Sequence, residues 1–147
     1  MKNKIIFSAV FLSMFFCGHI FSQNIEVKIT GLQNTKGEVQ LGIFTSQSNY
    51  ETENSLFRKV FSKSKVVNGE ITVYIELKAG TYGIAVLDDI DCDGLMKYNF
   101  FGIPREGFGF SNYKSTGFKN PHFDCFKFTV RDSKIKTKVH VPIRYIL

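Results

Sequence analysis

Ile71-Thr72-Val73-Tyr74-Ile75-Glu76-Leu77-Lys78-Ala79-Gly80-Thr81-Tyr82-Gly83-Ile84-Ala85-Val86 is the stretch that decides the fold. Ile71, Val73, Ile75 and Leu77 alternate with Thr72, Tyr74, Glu76 and Lys78. After the turn at Ala79-Gly80, the residues Tyr82, Ile84 and Val86 resume the same rhythm. Successive side chains of a strand point to opposite faces, so this period of two marks strands with one buried face. Val, Ile and Tyr also suit a pleated, half-buried surface.

Working outward, the pattern recurs. Ile25, Val27 and Ile29 alternate with Glu26 and Lys28. Val39, Leu41 and Ile43 follow Gly37. Phe126, Phe128 and Val130 form a later run, and Ile135, Val139, Val141 and Ile143 the last. Val60 to Val67 predicts a further strand before a hairpin turn at Asn68-Gly69. The sum is an all-β chain of about seven short strands, which reads as a β-sandwich. Gln47 to Lys59 is polar, with Leu56 and Phe57 as its apolar anchors, and predicts at most a short helix.

The first 22 residues read differently. Lys2 and Lys4 precede an uncharged apolar run, Ile5 to Ile20, which closes with Phe21-Ser22-Gln23. This is the order of a secretory signal peptide, with cleavage expected near Ser22 or Gln23. The run is short for a membrane span, which needs about 20 apolar residues. An uncleaved anchor is the alternative. A lipoprotein attached at Cys17 is disfavoured by Phe16, where a small residue belongs. The expected organisation is therefore a signal peptide over 1–22 and a single domain over 23–147. The destination is the periplasm, the cell surface or the medium, with no transmembrane span after cleavage.

Removing Lys2 and Lys4, and no acid, lowers the formal charge from +6 to +4. The remaining Lys residues are scattered and lack the clustering with aromatics that a nucleic-acid groove needs. Lys134, Lys136 and Lys138 alternate as the wet face of a strand. Two cysteines remain after cleavage. Cys92 and Cys125 either pair, as an oxidising compartment allows, or stay as one exposed and one buried thiol.

From Asp88 to His122 the strand rhythm breaks, in a long stretch rich in Gly, Phe and Asp. Long irregular loops in compact domains are often functional, so a specific site is expected here. It begins Asp88-Asp89-Ile90-Asp91-Cys92-Asp93-Gly94. Asp89, Asp91, Asp93 and Gly94 have the spacing of a calcium loop, in which alternate carboxylates converge on a hard cation. The Leu95 carbonyl and Asn99 complete the candidate ligand set, and Glu106 is a further source of oxygen. The helix–loop–helix version is excluded by the flanking strands, by Lys97 at the ninth position and by Phe100 at the twelfth. A solvated acidic turn, its charge offset by Lys97, is the plainer reading.

Phe100, Phe101, Phe108, Phe110 and Tyr113 follow, interleaved with Gly102, Gly107 and Gly109. Gly-x-Gly without a following helix is no nucleotide fingerprint. Phe108, Phe110 and Tyr113 are a candidate ligand surface for a cell-surface glycan or a protein. The alternative is that the rings pin the loop to the sandwich by burying apolar area. Ser111, His122 and Asp124 carry hydrolase chemistry only if they converge, and Ser111 lacks the strand–turn–helix context of an exposed nucleophile. No catalytic residue is assigned.

Gly80-Thr81-Tyr82, Asp89-x-Asp91-x-Asp93-Gly94, the run from Asn99 to Asn112 and Asn120-Pro121-His122-Phe123 together resemble the bacterial family labelled domain of unknown function 2141. The resemblance spans nearly all of the chain after the signal peptide. Members of that family are small exported proteins of no established activity, and the resemblance implies a sandwich like the prealbumin-like or carboxypeptidase-regulatory-like domains, so the expected fold is a prealbumin-like or immunoglobulin-like sandwich. The family's loop reads Asp-x-Asn-x-Asn-Gly with an Asp three residues later, where this chain has Lys97. That departure implies a structural or vestigial calcium site rather than a catalytic metal.

Overall fold

The computed structural model describes residues 23–116 and 119–146; the expected signal peptide lies outside the described residues. The described chain forms eight strands. These are β1 (Ile25–Thr30), β2 (Glu38–Phe44), β3 (Phe57–Ser62), β4 (Ile71–Ile75), β5 (Gly80–Asp89), β6 (Gly107–Phe110), β7 (Lys127–Val130) and β8 (Thr137–Pro142). Two short helices, α1 (Gln47–Glu51) and α2 (Phe123–Phe126), sit in connections. No helix among the described residues is long and apolar enough to cross a membrane.

The strands make two sheets, as a sandwich requires. One has the order β4-β1-β8, with β1 antiparallel to β4 and parallel to β8. The other runs β3-β2-β5-β6, all antiparallel. Gly83 is paired with both Phe44 of β2 and Lys127 of β7. β7 therefore lies on the edge of β5 opposite β2, end to end with β6.

The core between the sheets is the set that the alternation predicts. Ile25, Val27, Ile29, Val39, Leu41, Ile43, Ile71, Val73, Ile75, Ile84, Val86, Val130, Val139 and Val141 are all buried there. Full burial of each such side chain contributes about 1.5–3 kcal/mol, so this stripe is the main source of stability. Asn24 closes one end: its Nδ2 donates to Leu77 O at 2.8 Å, and its Oδ1 accepts from the Leu77 N–H at 2.9 Å.

A second apolar cluster covers the outer face of the β5 sheet. Phe44, Phe110, Phe123 and Phe126 form it, with Tyr50, Phe108 and Tyr113 packed against them. A Cβ on Gly83 would lie 2.5 Å from the Phe126 ring, so this glycine lets the rings seat flat on the strand.

Three expectations change. The strand expected over Val60 to Val67 lies earlier, at Phe57–Ser62, and ends in a 3-10 turn at Lys63–Lys65. Asn68 (φ 51) and Gly69 (φ 74) do make a tight turn, bridged by Val67 and Glu70. However, β3 and β4 belong to different sheets, so the turn carries the chain between layers. Ile135 is exposed and precedes β8, because the turn Asp132–Lys134 sets the strand start later. Finally, the long loop holds a strand, β6, that the glycines hid from the alternation.

Candidate functional site

β5 is the longest strand, and its end builds the site. Period-two alternation sends Asp88 to the core side and Asp89 to the other. Both are fully buried. β6 pairs with β5 through Asp88↔Gly107, which brings Glu106 opposite Asp89 at the mouth of the loop they enclose.

These two carboxylates organise the loop. Asp89 Oδ1 accepts from the Asp93 N–H at 3.3 Å, and Oδ2 from the Gly94 N–H at 2.7 Å. Glu106 Oε1 accepts from the Ile90 N–H, and Oε2 from the Lys97 N–H, both at 3.3 Å. These backbone donors are partly withdrawn from water, and charged acceptors make the stronger bonds. The chain can turn this sharply because Cys92 (φ 60) and Gly94 (φ 76) take left-handed conformations. Beyond the turn, Asn99 ties a small knot: its Oδ1 accepts from the N–H groups of Phe101 and Ile103, and Tyr98 bridges Pro104.

Ligand oxygens of Asp89, Asp91 and Glu106 lie within 4.8 Å of one another, a cluster that could hold a metal ion. Asp89 and Asp91 thus come together as the spacing predicts, and Glu106 is the third member. Asp93 lies apart from that group: its Oδ1 accepts from the Leu95 N–H, and its Oδ2 faces Lys97 Nζ at 3.1 Å. Lys97 also contacts Asp91. Leu95 is exposed, and the Asn99 side chain is engaged in the knot. Glu106, expected from the sequence only as a further source of oxygen, is placed by strand register. Once Asp88 to Gly107 is read as one long hairpin, the residue before Gly107 must face Asp89.

The aromatic loop divides in two. Phe110 is buried in the second cluster and Phe108 and Tyr113 pack against it, so this trio serves the protein's own packing. Phe100 and Phe101 are instead 98% and 82% exposed, edge to face with ring centroids 5.6 Å apart. The Gly-x-Gly pair has a structural cause. A Cβ on Gly107 would lie 2.6 Å from the Tyr145 ring, and one on Gly109 would lie 2.6 Å from Pro142 O. Only glycine lets β6 approach the chain just past β8, where Phe108 and Arg144 exchange backbone hydrogen bonds.

Ser111, His122 and Asp124 do not form a nucleophile–base array. Ser111 is fully buried; its hydroxyl donates to Phe126 O at 2.5 Å and accepts from the Ile84 N–H at 2.9 Å. His122 is exposed and caps α2 through the Asp124 N–H. Asp124 pairs with Lys127, whose hydrogen bond and charge hold its carboxyl below the usual range.

Cys92 and Cys125 are both free and exposed. Cys125 sits two residues before Lys127, which pairs with Gly83, while Cys92 lies three residues beyond the far end of β5. At about 3.3 Å per strand residue, the two are separated by far more than the roughly 7 Å between Cα atoms that a disulfide tolerates. The pairing considered from the sequence is not made in this arrangement, and Cys125 is not the buried thiol of the alternative. Local desolvation, then the carboxylates of Glu38 and Asp89, push the Cys92 thiol above its ordinary range. A raised thiol is a poor nucleophile at neutral pH.

Against known proteins, no curated protein and no solved structure matches the chain. Residues 27–138 match the model of a family described as "Uncharacterized protein conserved in bacteria (DUF2141)". That stretch runs from β1 into β8 and contains the acidic loop, the knot and the second aromatic cluster. The chain belongs to this bacterial family.

Proposed function

We propose that this chain is an exported, non-catalytic β-sandwich module whose loop between β5 and β6 is set by a bound calcium ion. Asp89, Asp91 and Glu106 are the side-chain ligands. The supporting observation is the convergence of their oxygens within 4.8 Å at the mouth of the loop between β5 and β6. Three acidic groups, Asp89 at the end of β5 and Asp91 and Glu106 in the loop that follows it, suit a hard cation, and carboxylate oxygens keep lone pairs for it while accepting backbone N–H bonds. Lys97 stays with Asp93 when the ion is bound and releases Asp91. With this competing ammonium, affinity falls in the millimolar range of extracellular calcium modules. The signal-like N-terminus agrees with a compartment where calcium is plentiful.

Calcium titration followed by thermal melting tests the reading. The midpoint should rise and saturate at millimolar calcium, with a smaller response to magnesium, which demands tighter octahedral geometry. Asp91→Asn should abolish the rise, and because Asp91 is exposed the variant folds normally. An unchanged midpoint at millimolar calcium overturns the proposal.

A second reading rests on the exposed pair Phe100 and Phe101 at the knot. Held on a hydrogen-bonded turn, they present an apolar surface to a cell-surface glycan or protein. Loss of binding to bacterial surface fractions in Phe100→Ala/Phe101→Ala, with an unchanged melting midpoint, supports it; equal binding by both proteins removes it.

A further inference from the structure

The other face of the β5 end carries a separate group of residues that the calcium reading does not use. Lys63 and Asp88 are both 0% exposed, and Lys63 Nζ lies 2.5 Å from Asp88 Oδ1. Asn34 Oδ1 accepts a second Nζ–H bond at 3.0 Å. The Tyr145 hydroxyl donates to Asp88 Oδ2 and accepts from the Gln33 N–H at 3.2 Å. A buried ion pair loses hydration on both charges, and its mutual attraction often fails to recover that loss. An uncharged product of the same two groups would not bear this cost.

We propose that Lys63 and Asp88 condense into an intramolecular amide, joining Lys63 Nζ to Asp88 Cγ with release of one water. The two groups are held side by side. With Nζ at 2.5 Å from Oδ1, the nitrogen is confined next to the carboxyl group, and a turn of the carboxylate would present Cγ to it in a near-attack arrangement. One proton passes from Nζ to Oδ1, giving a neutral amine and a neutral acid. The nitrogen lone pair then attacks Cγ. Negative charge develops on Oδ2, where the Tyr145 hydroxyl donates, an oxyanion-hole arrangement in a dry site. Burial and the Asp88 contact push the Tyr145 pKa upward, so it remains a proton-bearing donor. Asn34 Oδ1 holds the nitrogen in orientation through its own N–H bond. A second proton moves from Nζ to the Oδ1 hydroxyl, the Cγ–Oδ1 bond breaks, and water leaves. Oδ2 remains as the amide oxygen and one N–H remains on Nζ. No oxidant, nucleotide or external reagent is required.

The bond has a mechanical meaning. Glu38 at the start of β2 is flanked by Ser62 of β3 on one side and Asp89 of β5 on the other. Lys63 therefore reaches past the start of β2 to the strand beyond. The amide would staple the edge strand β3 to the central strand β5, closing a loop between residues 25 apart. β3 is mostly exposed and is otherwise held through β2 alone within its sheet.

Intact-mass analysis and peptide mapping of the full-length chain, purified after expression, provide the test. The expected protein is lighter than its sequence by one water. Trypsin should then leave Lys63 uncut and yield a branched peptide containing Lys63 and Asp88. Lys63→Met and Asp88→Ala should each carry their full mass, and Tyr145→Phe should slow the mass loss. The wild-type measurement decides even if a variant fails to fold. A full-mass protein cleaved at Lys63 overturns the proposal. So does a water loss mapped to Asp93-Gly94, which hydroxylamine would cleave as a succinimide. A loss of ammonia with Lys63 joined to Asn34 overturns the assignment of Asp88.

Discussion

Lys97 Nζ stands between the side chains of Asp91 and Asp93, 3.1 Å from Asp93 Oδ2 and in direct contact with Asp91. An ammonium thus offsets part of the acidic loop's charge at the edge of the carboxylate cluster. It sits four residues after Asp93 and shares Asp91 with the proposed ion. A lysine there repels a dication by roughly 1–2 kcal/mol at the high effective dielectric of an exposed loop. Lys97→Gln should therefore tighten calcium binding about tenfold, which corresponds to about 1.4 kcal/mol. Calorimetric titration of the two proteins at equal ionic strength reads this directly. Equal affinities would show that Lys97 and the ion do not compete.

Gly37 and Gly102 both have positive φ, at 76 and 73, yet they should respond differently to alanine. A Cβ on Gly37 would lie 2.2 Å from Asp89 O and 2.7 Å from Ile90 Cα. Those are backbone atoms at the root of the acidic loop, and they cannot move aside singly. A Cβ on Gly102 would meet nothing within 4 Å. Gly102→Ala should cost only the left-handed strain, about 1–2 kcal/mol. Gly37→Ala adds a main-chain clash and should cost about 3–5 kcal/mol, among the larger effects of single substitutions. Urea unfolding of the two variants gives the comparison.

Much of this sandwich was legible because period-two burial is a local property. Val39, Leu41 and Ile43 announce their face without reference to any partner strand. β6 was not legible for the opposite reason. Its inward positions are Gly107 and Gly109, chosen for close approach to Tyr145 and Pro142, which lie far along the chain. A strand with glycines at the positions that face the core shows no ordinary apolar alternation, although Phe110 on its other face is buried in the second cluster. The candidate metal group was half legible for a related reason. Asp89 and Asp91 follow loop spacing, whereas Glu106 arrives through the β5–β6 register. Lys63 gave no signal, since a lysine between two serines of an expected strand reads as solvated until its partner across the sheet is known.

Ser111 should prove to be a stability residue. Its hydroxyl serves two buried backbone groups, the Ile84 N–H and Phe126 O, and so links β5 to the end of α2. Ser111→Ala removes both bonds and brings no replacement, at about 1–3 kcal/mol for each buried group left unpaired. Denaturant unfolding should show a midpoint shift of that size with an unchanged slope. Ser111→Cys should not restore it, since a thiol is a weak donor and acceptor. Full stability in Ser111→Ala would contradict the assignment.

Tyr145 makes stability fall in alkali. Burial, then the hydrogen bond to Asp88, raise its folded pKa above the ordinary value of about 10. The folded state therefore holds this proton more tightly than the unfolded state does. Where the unfolded chain has lost the proton and the folded one keeps it, the unfolded state binds fewer protons, and stability declines as pH rises. The contribution is fully present below pH of about 10, and is lost progressively above it, toward the raised folded value. Tyr145→Phe removes both the proton and the bond to Asp88. The variant should be less stable than wild type at neutral pH, and its unfolding free energy should depend less on pH above about 10. Urea melts between neutral pH and the alkaline range test both halves. Parallel curves for the two proteins would assign the alkaline loss to other groups.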